Sequence, residues 1–142
     1  MAAVNKKRVV LGVLLGGLAW SIWSALVNTV ILGSHYAAAM ESGALLKQAR
    51  YPLFLVYWFI GLFVFTYILT WIYLSLRVTL GPGPRTALRV GFLVGFAIAF
   101  PINLSVAAWV PIDRIFPLWW MMDLWLGAIL ASFVSAALYK DA

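Results

Sequence analysis

Four long apolar stretches follow one another along the chain, separated by short segments that carry most of the polar residues. The first three contain no Asp, Glu, Lys or Arg, and the fourth contains a single acid, Asp123. Each has about 20–24 residues, which at about 1.5 Å per residue crosses a hydrocarbon core about 30 Å thick. The pattern predicts one transmembrane domain over residues 1–142, with helices at about 9–32, 53–76, 90–109 and 117–138.

The connecting segments predict how these helices follow one another. Residues 34–51 are rich in Ala and Leu, which favours a short extramembrane helix between the first two transmembrane helices. Residues 81–84 read Gly-Pro-Gly-Pro, a tight turn, and residues 110–116 are too few for more than a turn. The predicted fold is therefore all-α, an integral membrane four-helix antiparallel bundle.

Composition excludes a soluble domain. The chain is 65% hydrophobic and 10% charged, with a mean hydropathy of +1.02, whereas soluble domains are about 45–50% apolar and about a quarter charged. The absence of cysteine excludes disulfides, thiolate metal sites and thiol redox relays. The net charge of +6 is spread over the chain without an arginine-rich run, so nucleic acid is not an expected partner.

The N-terminus resembles a secretory signal peptide only superficially. A basic segment, Lys6 to Arg8, precedes an apolar run, and three alanines follow at 37–39. The apolar run is longer than the roughly 7–15 residues of a signal peptide's hydrophobic region, so a retained first helix is expected.

Basic residues predict the orientation. Seven lie on the side that carries both termini and the middle loop, and three lie on the other side, which places both termini in the cytoplasm. The seven are Lys6, Lys7, Arg8, Arg77, Arg85, Arg89 and Lys140, and the three are Lys47, Arg50 and Arg114.

Small residues recur at four-residue spacing, which lets helices approach closely. Packing within the bundle is the expected role, and the first pair could also receive a second chain. These residues are Gly12 and Gly16 in the first helix, Gly91 and Gly95 in the third, and Gly127 in the fourth.

The aromatic residues, 8 Trp, 6 Tyr and 9 Phe, are expected mainly at the membrane interfaces. Trp109, Trp119 and Trp120 fall near the outer boundary, and Trp71 and Tyr73 near the inner one. An aromatic-lined pocket for a flat apolar ligand or a pigment is the alternative.

One polar residue in each helix falls at the same level, toward the outer side: Asn28, Tyr57, Asn103 and Asp123. An ionisable group at this depth costs several kcal/mol unless it is paired or faces water. Two interpretations remain open. Arg50 or Arg114 could reach down to pair with Asp123, with His35 also at that boundary, while the asparagines join helices. Alternatively, the four residues could line an outward-facing ligand site.

No arrangement of residues indicates catalysis. The chain has one histidine, no metal-binding His-Glu motif and no phosphate loop, since residues 81–84 have prolines where such loops need free N–H groups. We therefore expect no enzyme activity, no metal and no cofactor.

Two segments resemble a group of small four-helix bacterial membrane proteins that carry no assigned function. One runs from Trp71 through Arg77 to the turn Gly81-Pro82-Gly83-Pro84-Arg85-Thr86-Ala87, and the other is Ala137-Leu138-Tyr139-Lys140-Asp141. The resemblance implies the bacterial cytoplasmic (inner) membrane without implying an activity. Small multidrug exporters differ, because their acid lies in the first helix.

Two function classes follow from this reading. The first is a non-catalytic accessory or structural subunit that packs against a larger membrane assembly through Gly12, Gly16 and its tryptophan-rich surfaces, either with a partner or as a homo-oligomer. The second is a small carrier or ligand-binding protein with an outward-facing site around Asp123. A conducting pore is disfavoured, since no helix has a polar stripe across the membrane.

Overall fold

A computed structural model describes residues 4–140 and is all-helical over that range. Four of its helices are long and apolar enough to cross a membrane. Asp141, part of the resemblance noted above, lies outside the described residues. The helices are α1 (Lys6–Leu26), α2 (Gly33–Glu41), α3 (Phe54–Leu80), α4 (Pro84–Trp109) and α5 (Ile115–Leu138), and a π-helical segment (Val27–Ile31) continues α1.

A capping side chain and two glycines with positive φ mark the ends of the helices. The side chain of Asn5 caps α1 by accepting a hydrogen bond from the Arg8 N–H at 3.2 Å. Gly81 ends α3 with φ +83°, and Gly83, with φ +120°, leads into Pro84 at the start of α4. The long α3 and α4 extend beyond the predicted 53–76 and 90–109 because their polar and basic ends still form regular helix outside the apolar stretch.

The π-helical segment lies at the predicted end of the first transmembrane helix. The Leu32 N–H donates to the Val27 carbonyl oxygen at 2.9 Å, a spacing of five residues instead of four. The wider turn leads directly into α2, which confirms a short helix between the first two long ones. Single π-helical turns inside α-helices are frequently found at functional sites.

The α5 helix contacts α1, α3 and α4, and in the part of the chain that is described α1 and α4 do not touch each other. Gly12 and Gly16 face α5: a Cβ at Gly16 would lie 2.8 Å from the Ser135 Oγ and 2.9 Å from the Ala131 carbonyl oxygen. Both glycines are buried within the chain. They therefore pack against α5 within the chain, the role expected for them.

The other predicted small residues also pack against α5 or form part of it. A Cβ at Gly91 would lie 2.6 Å from the Ile129 Cα, and one at Gly95 would lie 2.8 Å from the Ala128 Cβ. At Gly127 a Cβ would collide with the Trp20 indole. These glycines let helix backbones and a tryptophan ring approach at distances that a side chain would prevent.

Aromatic residues divide between the surface and the interior. Trp109 is 86% exposed, as an interfacial residue would be. Tyr73, expected at an interface, is instead buried, and its hydroxyl oxygen accepts a hydrogen bond from the Gly83 N–H at 3.2 Å. It therefore ties the α3–α4 turn to the bundle.

Candidate functional site

The only acid inside a long helix, Asp123, lies about 12 Å along α5 from Ile115. Its side chain is buried, with 1% of its surface exposed. It faces α1 at the end of the bundle where α2 and residues 110–114 lie, which we call the α2 end. Two chains of hydrogen bonds converge on one of its oxygens, Oδ2.

The first chain starts in α3 and passes through α1. The Trp58 Nε1–H donates to the Ser24 Oγ at 3.1 Å, and the Ser24 hydroxyl donates to Asp123 Oδ2 at 2.7 Å. Because an indole N–H can only donate, it fixes the direction of the serine hydroxyl. The serine hydrogen therefore points at the carboxylate.

The second chain starts in α5 and passes through α2 and the π-helical segment. The Trp120 Nε1–H donates to the Tyr36 hydroxyl oxygen at 2.7 Å, and that hydroxyl donates to Asn28 Oδ1 at 2.8 Å. The Asn28 amide N–H₂ then donates to Asp123 Oδ2 at 3.0 Å. The indole again sets the direction, so that the amide presents hydrogens to the carboxylate.

Local backbone structure positions these donors. Asn28 belongs to the π-helical segment, and its Nδ2 also donates to the Ser24 carbonyl oxygen at 2.9 Å, which orients the side chain along α1. Tyr36 belongs to α2, where its ring contacts Phe116 with centroids 5.1 Å apart. The turn from α1 into α2 thus brings a residue from outside the long helices onto the network.

The second carboxyl oxygen, Oδ1, has no close and well-aligned hydrogen bond, and neither has Nε1 of the fully buried Trp20. Trp20 is a hydrogen-bonding neighbour of the Asp123 carboxyl group, so its N–H is the donor available to Oδ1. The network therefore places donors around both carboxylate oxygens.

Tyr36 is the ionisable member of the network that lies outside the long helices. Burial raises the pKa of its hydroxyl above the usual value; the Trp120 hydrogen bond lowers this pKa, and the Asp123 carboxylate raises it. The hydroxyl therefore stays protonated at neutral pH and keeps its role as donor to Asn28.

The predicted boundary partners do not pair with Asp123. Arg50 and Arg114 are exposed, and the carboxylate bonds to Ser24 and Asn28 instead. His35 packs edge-on against Phe116, with centroids 6.5 Å apart. The expected salt bridge is therefore wrong, because polar side chains inside the bundle reach the carboxylate and the arginines stay at the surface.

Two of the four predicted site residues lie away from the network. Tyr57 is 62% exposed, because the rotation of about 100° per residue that turns Trp58 inward turns its neighbour outward. Asn103 is buried at 4% exposure, but its amide donates to the Ala99 carbonyl oxygen within α4 at 2.8 Å. Asn28 and Asp123 are the pair that the fold brings together.

Other members of the network were not predicted as site residues. Asn28 follows Ser24 by four residues, and Ser24 follows Trp20 by four. This spacing puts all three on one face of the first helix, so it could have indicated Trp20 and Ser24 as site residues. No comparable signal exists for Trp58 or Trp120, which sequence cannot separate from interfacial tryptophans. Tyr36 depends on the turn into α2.

The site is closed in this structure. A surface depression of about 330 Å³ lies at the α2 end, lined by residues that include His35, Ala38, Asp113 and Phe116, and it does not reach Asp123. Phe116 is fully buried and contacts both Tyr36 and Trp120, so aromatic rings separate the depression from the carboxylate.

The hydrogen-bond donors around Asp123 are uncharged, and they suit a carboxylate that has no positively charged side chain bonded to it. Within residues 4–140 no group of three or more His, Cys, Asp or Glu side chains could hold a metal ion. The arrangement can stabilise a carboxylate through Ser24, Asn28 and Trp20. It contains no nucleophile with an adjacent base.

No protein-family model, curated protein or solved structure matches the chain.

Proposed function

We propose that the chain is a small non-catalytic membrane carrier or ligand-binding protein that holds a cationic ligand at Asp123. The observation behind this proposal is that a buried acid is held by donors from inside the bundle, with Ser24 and Asn28 donating to Oδ2 and the Trp20 N–H beside the carboxyl group. Asn28 and Asp123 come from the sequence-based site. Tyr57 and Asn103 lie outside the network. Its other members include Ser24, Tyr36 and Trp58.

The energetics of a buried acid support this proposal. Placing an ionisable side chain inside the membrane costs several kcal/mol, so such residues are rare and mark ion or substrate pathways. Hydrogen bonds to the carboxylate offset part of that cost, and a cation beside it would offset more. Interhelical adhesion alone would not require a charge, because serine and asparagine hydrogen bonds already provide it.

The proposal includes an antiparallel bundle with both termini in the cytoplasm of a bacterium. Contacts of Ser24, near the end of α1, with Trp58, near the start of α3, support antiparallel packing of these helices. The excess of basic residues at the opposite end supports the orientation. The α2 end, with Asp123, would then face the outside of the inner membrane.

Native mass spectrometry after mild-detergent extraction tests the proposed function. We expect a cationic small molecule to be retained by the wild-type protein and lost from Asp123→Asn. Asp113→Asn is the matched control, because it removes an exposed acid at the same end of the bundle. The proposal would be contradicted if both variants retained the ligand equally. It would also be contradicted if the wild type and both variants all carried no bound small molecule.

A second candidate is an accessory subunit of a larger membrane assembly. It is favoured by α3, the least buried of the four long helices, which exposes large apolar side chains along its length. Lipid or a partner could cover this surface. Reproducible co-purification of larger subunits, lost when Ile60 and Val64 are changed to bulkier Phe, would support this role.

A further inference from the structure

We infer that an anionic phospholipid binds to the exposed face of α1, with its phosphate at Lys6 and Lys7 and an acyl chain along the apolar side chains that follow. This inference goes beyond the proposed function and does not depend on Asp123. Three observations carry it: the charge of this end of the bundle, a groove on the surface of α1, and the spacing of the exposed residues along that helix.

The end of the bundle opposite the α2 end, which we call the basic end, carries positive charge. The Asn5 N–H donates to the Tyr139 hydroxyl oxygen at 3.2 Å, which joins the start of α1 to the end of α5 there. The acids among residues 4–140, Glu41, Asp113 and Asp123, all lie toward the α2 end. The basic end therefore attracts anionic headgroups. Its basic residues are Lys6, Lys7, Arg8, Arg77, Arg85, Arg89 and Lys140.

A shallow groove of about 440 Å³ lies on α1 beside the first two of these residues. Lys6 and Lys7 line one end of it, and the rest is lined by Val10, Leu11 and Leu14. Both lysines are exposed, so their ammonium groups can reach a phosphate at the membrane surface. The surface changes from cationic to apolar within about two helical turns. A phosphate attached to a hydrocarbon chain matches both parts, whereas a free anion would leave the apolar part uncovered.

The exposed face of α1 continues the groove away from the basic end. Lys7, Leu11, Leu14 and Leu18 follow at spacings of four, three and four residues, which keeps them on one face of the helix. All four are exposed, whereas Gly12 on the opposite face packs against Ser135 of α5. Lys7 and Leu18 lie about 16 Å apart along the helix axis. An acyl chain on this face would thus run from the lysines toward the membrane interior.

A second exposed basic pair at the basic end, Arg85 and Arg89 on α4, is followed by a different surface. The rings of Phe92 and Phe96 pack against Trp125, with centroids 5.0 Å and 5.2 Å apart. These aromatic rings cover the part of α4 that would correspond to the aliphatic groove on α1. The arginine pair therefore provides a matched control, with the same charge at the same end of the bundle.

Native mass spectrometry of the full chain in mild detergent, titrated with dioleoyl-phosphatidylglycerol, tests this site. We expect saturable binding, weakened at least about tenfold when Lys6→Gln and Lys7→Gln are combined, because each basic residue near the surface attracts an anionic lipid. The combination of Arg85→Gln and Arg89→Gln should bind like the wild type. Dioleoyl-phosphatidylcholine, which has the same acyl chains and no net charge, should bind the wild type more weakly.

Three outcomes would overturn the inference. Equal weakening by the lysine and arginine variants would show a general attraction to the basic end without a site on α1. Equal affinity for the two lipids would remove the role of the lysines. Glycerol phosphate, which has no acyl chains, should not displace the bound lipid, and displacement as effective as that by phosphatidylglycerol would remove the role of the groove.

A measurement on the wild-type chain covers the case in which the lysine variant does not fold. Phosphatidylglycerol with a diazirine on one acyl chain is cross-linked by light in phosphatidylcholine nanodiscs, and peptide mass spectrometry locates the products. We expect them to concentrate on α1 between Val10 and Leu18, whereas diazirine-labelled phosphatidylcholine should label the exposed helices evenly. An even distribution of the phosphatidylglycerol products over α1, α3 and α4 would contradict the site.

Discussion

The α5 helix packs against α1 on one face and against α4 on another, and the two interfaces differ in one respect. Both use small residues for close approach, and each has one serine that donates to a carbonyl oxygen across it. Ser135 donates to Gly12 at 3.0 Å in the α1 interface, and Ser132 donates to Ala87 at 2.9 Å in the α4 interface. Asp123 and its donors from α1 occur at the first interface.

The difference between the two interfaces shows which residues helix packing requires and which it does not. The α4–α5 interface joins two long helices with glycine, alanine, the Ser132 bond and a bond from the Trp125 indole N–H to the Phe92 carbonyl oxygen, so adhesion of this kind needs no buried acid. The α1–α5 interface has the same means of adhesion and in addition a carboxylate that costs several kcal/mol to bury. Packing alone does not require that carboxylate, which is why we propose that it binds a ligand.

The largest effect is expected where a glycine is in closest contact with a backbone. In Gly91→Ala the new Cβ would lie 2.6 Å from the Ile129 Cα, so α4 and α5 must move apart. Overpacking of this kind costs about 1–3 kcal/mol or more. Unfolding in mixed detergent–SDS micelles should show this loss, while Gly61→Ala, with no atom within 4 Å of its Cβ, should show none. Equal stability of the two variants would contradict the packing described for α4 and α5.

An intermediate effect is expected from Tyr36→Phe, which removes a hydroxyl held by Trp120 and Asn28. The loss leaves two polar groups without this partner, at a cost of about 1–3 kcal/mol. Because burial raises the pKa of Tyr36, the unfolded chain ionises first at high pH. Wild-type stability should fall as pH rises above about 10, more steeply than in the variant.

The same unfolding assay, run from pH 7 to pH 11, tests this prediction. Tyr51→Phe is the control, because Tyr51 is an exposed tyrosine near the same end of the bundle. If Tyr36→Phe and Tyr51→Phe behaved identically, the hydroxyl would have no role in holding α2.

The smallest effect is expected from the matched serines. Ser132→Ala and Ser135→Ala each remove one interhelical hydrogen bond, and such bonds average about 0.6 kcal/mol in a membrane. We expect similar losses in the two variants, measured by the same unfolding assay. A much larger loss for Ser135→Ala would show that adhesion itself differs between the interfaces.

Apolar runs with at most one charged residue predicted the four long helices, because a helix satisfies its own backbone hydrogen bonds in lipid. Their similar depth placed Asn28 and Asp123 in one candidate site, without predicting the hydrogen bond between them. Trp58 was missed in favour of Tyr57 because a shift of one residue rotates a side chain by about 100°. Tyr36 depends on the π-helical turn, whose position the apolar pattern does not indicate. The expected salt bridge to Asp123 was also wrong. It assumed that Arg50 or Arg114, the basic residues at the same membrane boundary, would be the partner of the buried acid.

The measurement that tests the central claim most directly is the unfolding free energy of the wild type and of Asp123→Asn, with and without butylammonium chloride, which serves as a small organic cation. A ligand that binds only the folded protein stabilises it by about 2.7 kcal/mol at 100 times its Kd. We predict that butylammonium stabilises the wild type by about this amount and leaves Asp123→Asn unchanged. Equal stabilisation of both proteins, or of neither, would contradict a cation site at Asp123.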